Sequence, residues 1–272
     1  DFGRGRRLYV ARGDPRKGPL TLAEIDPDTG GVIELFRAEL ERPEAVELEI
    51  ADVDRDQRPD LAFAYYATRT HVRTHHLRAD GRVVEGALER TAQARAFADL
   101  DGDGVTDAIV GRLYGDGEGA APGDLKVDVG HGPVDVPARG GVRAVATWRG
   151  ADGKTALYFA DGWSASYVKD GRARIERATW NGAGFDVVEV ATSPEEYTFF
   201  SLRAVPRRGD AALVAAGNRG VTLFEPGPAP RGARPLGGPG KGVTAACRAG
   251  PSGFSVWAPG AAVHALPVPT PR

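Results

Sequence analysis

The chain has 272 residues, of which 42% are hydrophobic and 26% charged, with a formal net charge of −2. That composition belongs to a globular protein large enough for one sizeable domain, and it leaves no global basic field to attract nucleic acid. No run approaches the ~18 apolar residues of a membrane-spanning helix, and Cys247 is the single cysteine, so no internal disulfide exists. Strand-like runs begin at Leu8-Tyr9-Val10-Ala11 and continue over 19–25 and 31–36, the latter two separated by the turn signal Asp26-Pro27-Asp28-Thr29-Gly30-Gly31. The chain has no Met, and its start reads as falling inside a first unit that lacks an inner strand, with the C-terminal segment as a candidate to complete it.

A second unit, about 45–91, carries Asp52-Val53-Asp54-Arg55-Asp56-Gln57-Arg58-Pro59-Asp60 between two apolar runs. A third, about 92–140, repeats the pattern as Asp99-Leu100-Asp101-Gly102-Asp103-Gly104-Val105-Thr106-Asp107. Carboxylates at the first, third, fifth and ninth positions repel one another unless a cation sits among them. Hard oxygens at alternate positions of a turning loop suit Ca2+, which takes about six to eight oxygen ligands. Val105, and Arg58 at the same position of the earlier loop, would add backbone carbonyls. The EF-hand's glutamate at position twelve is missing, because Val110 stands there, and the flanks read as strands and not helices. Gln57 occupies the place of the turn glycine Gly104, so the earlier loop is expected to be strained and the weaker site. A merely solvated acidic turn is the alternative for either loop.

Three more units follow. The fourth, about 141–197, keeps the turn over 147–154 but not the acids, so no Ca2+ is expected there. The fifth, about 198–240, pairs Leu202-Arg203-Ala204-Val205 with Ala211-Ala212-Leu213-Val214, and its Pro/Gly-rich end from Pro226 to Gly240 reads as an exposed loop. The sixth, about 241–272, pairs Val243-Thr244-Ala245-Ala246-Cys247 with Phe254-Ser255-Val256-Trp257. Ser193-Pro194-Glu195-Glu196 reads as one short helical turn. Units of roughly 45–55 residues, rich in turns and nearly free of helical periodicity, predict a single all-β domain.

The two aspartate loops resemble the FG-GAP/VCBS-type repeat of bacterial surface proteins and the integrin α-subunit head. The resemblance implies a β-propeller of four-stranded antiparallel blades, six by this count and seven as the alternative. In that family the acidic loop joins the innermost strand to the second and holds Ca2+. Asp52, Asp54, Asp56 and Asp60, then Asp99, Asp101, Asp103 and Asp107, match residue by residue, so two Ca2+ ions are expected. An extracellular, cell-surface or periplasmic location follows from such sites, which fill where calcium is abundant.

If the acidic loops mark one face, Arg95, Arg143 and Arg203 begin inner strands at the other and are expected to encircle a channel mouth. Their guanidinium groups suit a carboxylate or sulfate, or else pair with Glu47, Glu49 and water. Tyr65, Tyr66, Arg112, Tyr114, Asp161, Trp163, Asn218 and Arg219 fall in loops of the same face, where aromatics beside polar groups suit a sugar ring. Wedging between blades is the structural alternative for each aromatic. Trp148 and Trp180 fall outside this set. His71 and His75 share a strand face about 13 Å apart at ~3.3 Å per residue, too far for one zinc, and with His76 they read as surface histidines.

The function these features favour is a calcium-stabilised monomeric module that binds glycan or protein, with no nucleic acid and no membrane span. One alternative is a lyase of acidic polysaccharides, with an arginine neutralising the uronate and Tyr66, Tyr114 or His71 as base. The other is a structural module of a larger surface protein.

Overall fold

Short runs of β-branched and aromatic residues punctuated by Gly, Asp and Pro leave this chain one economical architecture, antiparallel hairpins repeated in sequence. The computed structural model describes residues 7–12, 19–40, 45–68, 71–90, 92–113, 123–161, 174–192, 199–207, 210–217, 220–224, 234–237, 246–250, 253–258 and 264–269. Among them there is no helix, and every strand pairs antiparallel with its neighbour in the chain.

The first sheet contains β1 (Leu8–Arg12), β2 (Pro19–Ile25) and β3 (Val32–Glu39); the second contains β4 (Ala45–Ala51), β5 (Asp60–Tyr66), β6 (His71–Leu77) and β7 (Val83–Arg90). The third contains β8 (Ala92–Ala98), β9 (Asp107–Arg112), β10 (Leu125–Asp128) and β11 (Pro133–Val136). The fourth is β12 (Val142–Arg149), β13 (Thr155–Asp161), β14 (Arg174–Trp180) and β15 (Phe185–Thr192). The fifth is β16 (Phe199–Arg207), β17 (Asp210–Gly217), β18 (Gly220–Phe224) and β19 (Arg234–Gly237); the sixth is β20 (Ala246–Gly250), β21 (Gly253–Ala258) and β22 (His264–Pro269). The chain divides into two compact units, Asp1–Ala92 and Gln93–Arg272.

One expectation is corrected here. The Pro/Gly-rich stretch after Pro226 is not all loop, because Arg234–Gly237 pairs with β18 as the outer strand of its sheet. Proline at Pro235 is tolerated there, since an outer strand has no further neighbour to donate to. The Val243 start expected for the sixth unit lies outside the described residues, which take up its first strand at Ala246. The proposed helical turn over 193–196 lies outside the described residues.

The cores follow the strand period of two. In the second unit, the alternate residues of β13 serve two different clusters. Leu157 and Phe159 pack with Ala94, Ile109, Leu125 and Val142, while Tyr158 and Ala160 pack with Ile175, Leu202, Leu213 and Phe224. A second strand is therefore buried on both faces, which explains its near-continuous apolar character. The run Ala211-Ala212-Leu213-Val214-Ala215-Ala216 is 0–1% exposed for the same reason. In the first unit Leu20, Leu22, Leu61, Phe63, Tyr65 and Leu77 form the cluster. Each fully buried large side chain contributes about 1.5–3 kcal/mol.

Candidate functional site

The loop between β8 and β9 is folded by its own aspartates. Asp99 accepts from the Gly102 amide at 2.7 Å and the Gly104 amide at 3.2 Å, one on each carboxylate oxygen. Asp101 accepts from Asp103 N at 3.1 Å and Asp103 from Val105 N at 2.7 Å. The path needs a left-handed backbone twice, at Gly102 and Gly104, both with φ of 83°. At the end of the loop Asp107 is 1% exposed and accepts from Leu100 N at 2.8 Å.

One carboxylate oxygen each from Asp99, Asp101 and Asp107 lies within 4.8 Å of the others. Burial pushes Asp107 up to about 6, helped by the Asp101 charge and opposed by the Leu100 amide. A divalent cation among these oxygens would relieve that repulsion. The donor set is all oxygen, and so suits a hard ion. Asp103 is exposed and Val105 half-buried.

The loop between β4 and β5 follows the same path with less suitable residues. Asp52 accepts from Asp56 N at 3.0 Å and Gln57 N at 2.9 Å, and Asp56 from Arg58 N at 2.9 Å. Gln57 has φ of 67°, the strain expected from the sequence, and Arg55 at 63° shares it. Arg55 stands where the later loop has Gly102, a second departure that the alignment of the two loops marks. Each left-handed non-glycine costs roughly 1–2 kcal/mol.

Two overlapping groups converge in this loop, Asp52 with Asp54 and Asp56, and Asp54 with Asp60 and His76, each with donor atoms within 4.8 Å. Burial, then the Asp54 charge, raises Asp60 above the usual carboxylate range. His76 corrects an expectation, since it is 9% exposed and His75 is 7% exposed, so neither is a surface histidine. His75 lies in the aromatic core, its ring 5.4 Å from Phe63, 5.6 Å from Tyr65 and 4.9 Å from Phe36. That burial holds it down to about 4.

The residues expected at a channel mouth have unlike surroundings. Arg95 is buried and pushed down to about 10 by desolvation and by Arg112, Arg143 is half-buried, and Arg203 is exposed. Arg112 pairs with Asp124 at 3.2 Å, and Arg203 donates to the Leu202 carbonyl at 3.3 Å. Tyr66 is half-buried at the end of β5. Asp161 is 1% exposed, with its two oxygens taken by the amides of Arg139 and Gly140, so it anchors a turn rather than facing a ligand. Tyr114, Trp163, Asn218 and Arg219 lie outside the described residues.

A cavity of about 570 Å³ opens instead beside the 150–154 turn between β12 and β13, the end of its sheet that carries the aspartate loop in the two preceding sheets. Trp148, Tyr158, Arg177, Lys154, Thr155 and Thr179 line it. Tyr158 and Arg177 are cross-strand partners, as are Trp148 and Ala156, which puts these side chains on one sheet face. The Arg177 Nε is buried with no hydrogen-bond partner. Arg177 and Lys154, with the Asp152 carboxylate also in the lining, stand beside an aromatic wall and hydroxyls, a surface that can take a hydroxyl-bearing molecule with an acidic group. Trp148 falls outside the expected ligand set because the sequence places it in a loop on the side of the acidic loops; it stands instead in β12, and nothing local shows that β14 supplies Arg177 to the same cavity.

No protein-family model and no curated protein matches this chain. Among solved structures it is similar to the periplasmic gluconolactonase PpgL of Pseudomonas aeruginosa, at 16% identity and a TM-score of 0.54, over 98% of this chain and 84% of that one. It is also similar to Sqt1 of Saccharomyces cerevisiae, at 10% identity and a TM-score of 0.55, over 93% and 67% respectively. Both are propeller-type proteins, so the fold is all-β and propeller-like. Among the described residues no helix is long and apolar enough to cross a membrane.

Proposed function

We propose that this chain is a calcium-stabilised binding module of FG-GAP/VCBS-like repeats, working outside the cytoplasm, that takes an acidic glycan in the Trp148–Arg177 cavity. The cavity carries the reading. Its volume of about 570 Å³ suits a small oligosaccharide segment, Trp148 offers an apolar face for a sugar ring, and Arg177 and Lys154 offer charge for a carboxylate or sulfate. A titration with uronate and sulfated oligosaccharides tests it. Trp148→Ala and Arg177→Ala are each expected to weaken binding at least about tenfold, the worth of one stacking or charge-assisted contact. Unchanged affinity in both variants would remove the cavity from the function. New ultraviolet absorbance in the same mixtures would mean that the bound chain is being cleaved by elimination, and would make the site a lyase.

Calcium enters as the ion for the Asp99–Asp107 loop, with its all-oxygen donors and two glycine turns. Removing it with a calcium-selective chelator is expected to lower the melting temperature by roughly 5–10 °C, the effect of losing a ligand held about a hundredfold above its Kd. Asp101→Ala should abolish that response, and Asp54→Ala should leave most of it. A melting curve indifferent to chelator in the parent protein would refute the calcium role.

A further inference from the structure

We propose that the Asp52–Asp60 loop is not a second copy of the calcium site but a mixed nitrogen–oxygen site for a borderline divalent ion of the zinc class, held by Asp54, Asp60 and His76. The inference rests on the reading that the acidic loops hold cations, and departs from it in the ion.

Three atoms carry the argument. Asp54 Oδ1, Asp60 Oδ2 and His76 Nε2 are each buried and each without a hydrogen-bond partner. Their three residues also bring one ligand atom apiece to within 4.8 Å of one another. Asp60 is 2% exposed and His76 9%, so water does not satisfy them from outside. Leaving a buried polar atom unpaired costs about 1–3 kcal/mol. Three buried, unpartnered polar atoms on residues that cluster this closely are what a bound cation would satisfy.

The fourth participant is Arg78, whose Nη2 lies 2.5 Å from Asp54 Oδ2. It holds the outer oxygen of Asp54 and so turns Oδ1 inward, the part an outer-shell residue plays toward a metal ligand. The remaining carboxylates of the loop shape its backbone, as Asp99 and Asp103 do in the later loop. Asp52 spends both carboxylate oxygens on the amides of Asp56 and Gln57, and Asp56 spends one on Arg58.

Strand register shows why the two loops differ in ion. In the second sheet Ala62, two residues after Asp60, stands opposite His76. In the third sheet Ile109, two residues after Asp107, stands opposite Val127, which is fully buried. The same position on the third strand therefore supplies an imidazole in one sheet and an isopropyl group in the other. An imidazole with two carboxylates suits zinc and its neighbours in the first transition row, with one position left for solvent, whereas calcium takes oxygen. Arg55 and Gln57 in place of two glycines also stiffen a loop that a large calcium ion would need to wrap.

The test uses the whole chain, stripped of metal and then given Zn2+ in excess Ca2+. One Zn2+ per chain is expected, and His76→Val should weaken it at least about a hundredfold, since losing a ligand costs no less than losing its outer-shell support. Valine is the residue the third sheet carries at this position, so that variant is compatible with the fold. X-ray absorption of the zinc-loaded parent chain should show imidazole scattering from one histidine. An all-oxygen shell, no zinc uptake in excess calcium, or unchanged zinc affinity in His76→Val would each overturn the proposal. Calcium dependence of the melt reports on the Asp99–Asp107 loop alone, so its loss with zinc binding intact would sink the calcium reading and leave this one standing.

Discussion

Replacing Asp161 with alanine is expected to cost about 3–5 kcal/mol of stability, read as a lower urea midpoint in equilibrium unfolding. The carboxylate is 1% exposed, and its oxygens accept from Arg139 N at 2.6 Å and Gly140 N at 2.7 Å. Hydrogen bonds to a charged group contribute about 1.5–3 kcal/mol each, and their loss leaves buried amides unpaired. The turn they hold has no slack. A Cβ at Gly141 would sit 1.8 Å from the Leu113 carbonyl oxygen, so the backbone passes there at the closest distance glycine allows. Asp161→Asn keeps one acceptor and should lose roughly half as much. A cost below about 1 kcal/mol for the alanine variant would show that the turn is held by something else.

Glu176→Gln is expected to do the opposite above neutral pH. Glu176 is 2% exposed and is pushed up to about 7, first by burial and then by the Asp161 charge, with Arg139 acting against both. It faces Glu189 across β14 and β15, which adds repulsion. The folded state therefore keeps a proton that the unfolded chain releases near 4.5. Stability linked to this group is complete below about 4.5 and is lost as the pH rises through about 7. A shift of that size is worth about 3 kcal/mol, so the glutamine variant should outlast the parent at pH 8 and lose its advantage at pH 4. Equal melting curves at both pH values would contradict the assignment. Asp161 and Glu176 interact, so the double variant should not show the sum of the two effects.

Much of this protein was legible in one dimension. Strand and turn signals gave the all-β class, and the spacing in 99–107 announced a loop that its own side chains curl. Gln57 announced its strain by standing where Gly104 stands. Histidines failed the same treatment. Counting along β6 placed His75 and His76 on opposite faces, which is right, but it could not tell that both faces are covered. For Asp161, its position at the end of a strand suggested a ligand group, while its real partners are amides more than twenty residues earlier in the chain.

Local chemistry is what the sequence determined by itself: hairpins, turns and acidic loops arise from residues a few positions apart, whose geometry the backbone enforces directly. Tertiary structure alone decided which side chains meet. Opposing Ala62 to His76 and Tyr158 to Arg177 is a matter of strand register, and the covering of a face depends on the sheet stacked upon it. A shift of one residue would send every side chain of a strand to the other face, so the Asp54–Asp60–His76 cluster and the Trp148–Arg177 cavity exist only in the folded chain.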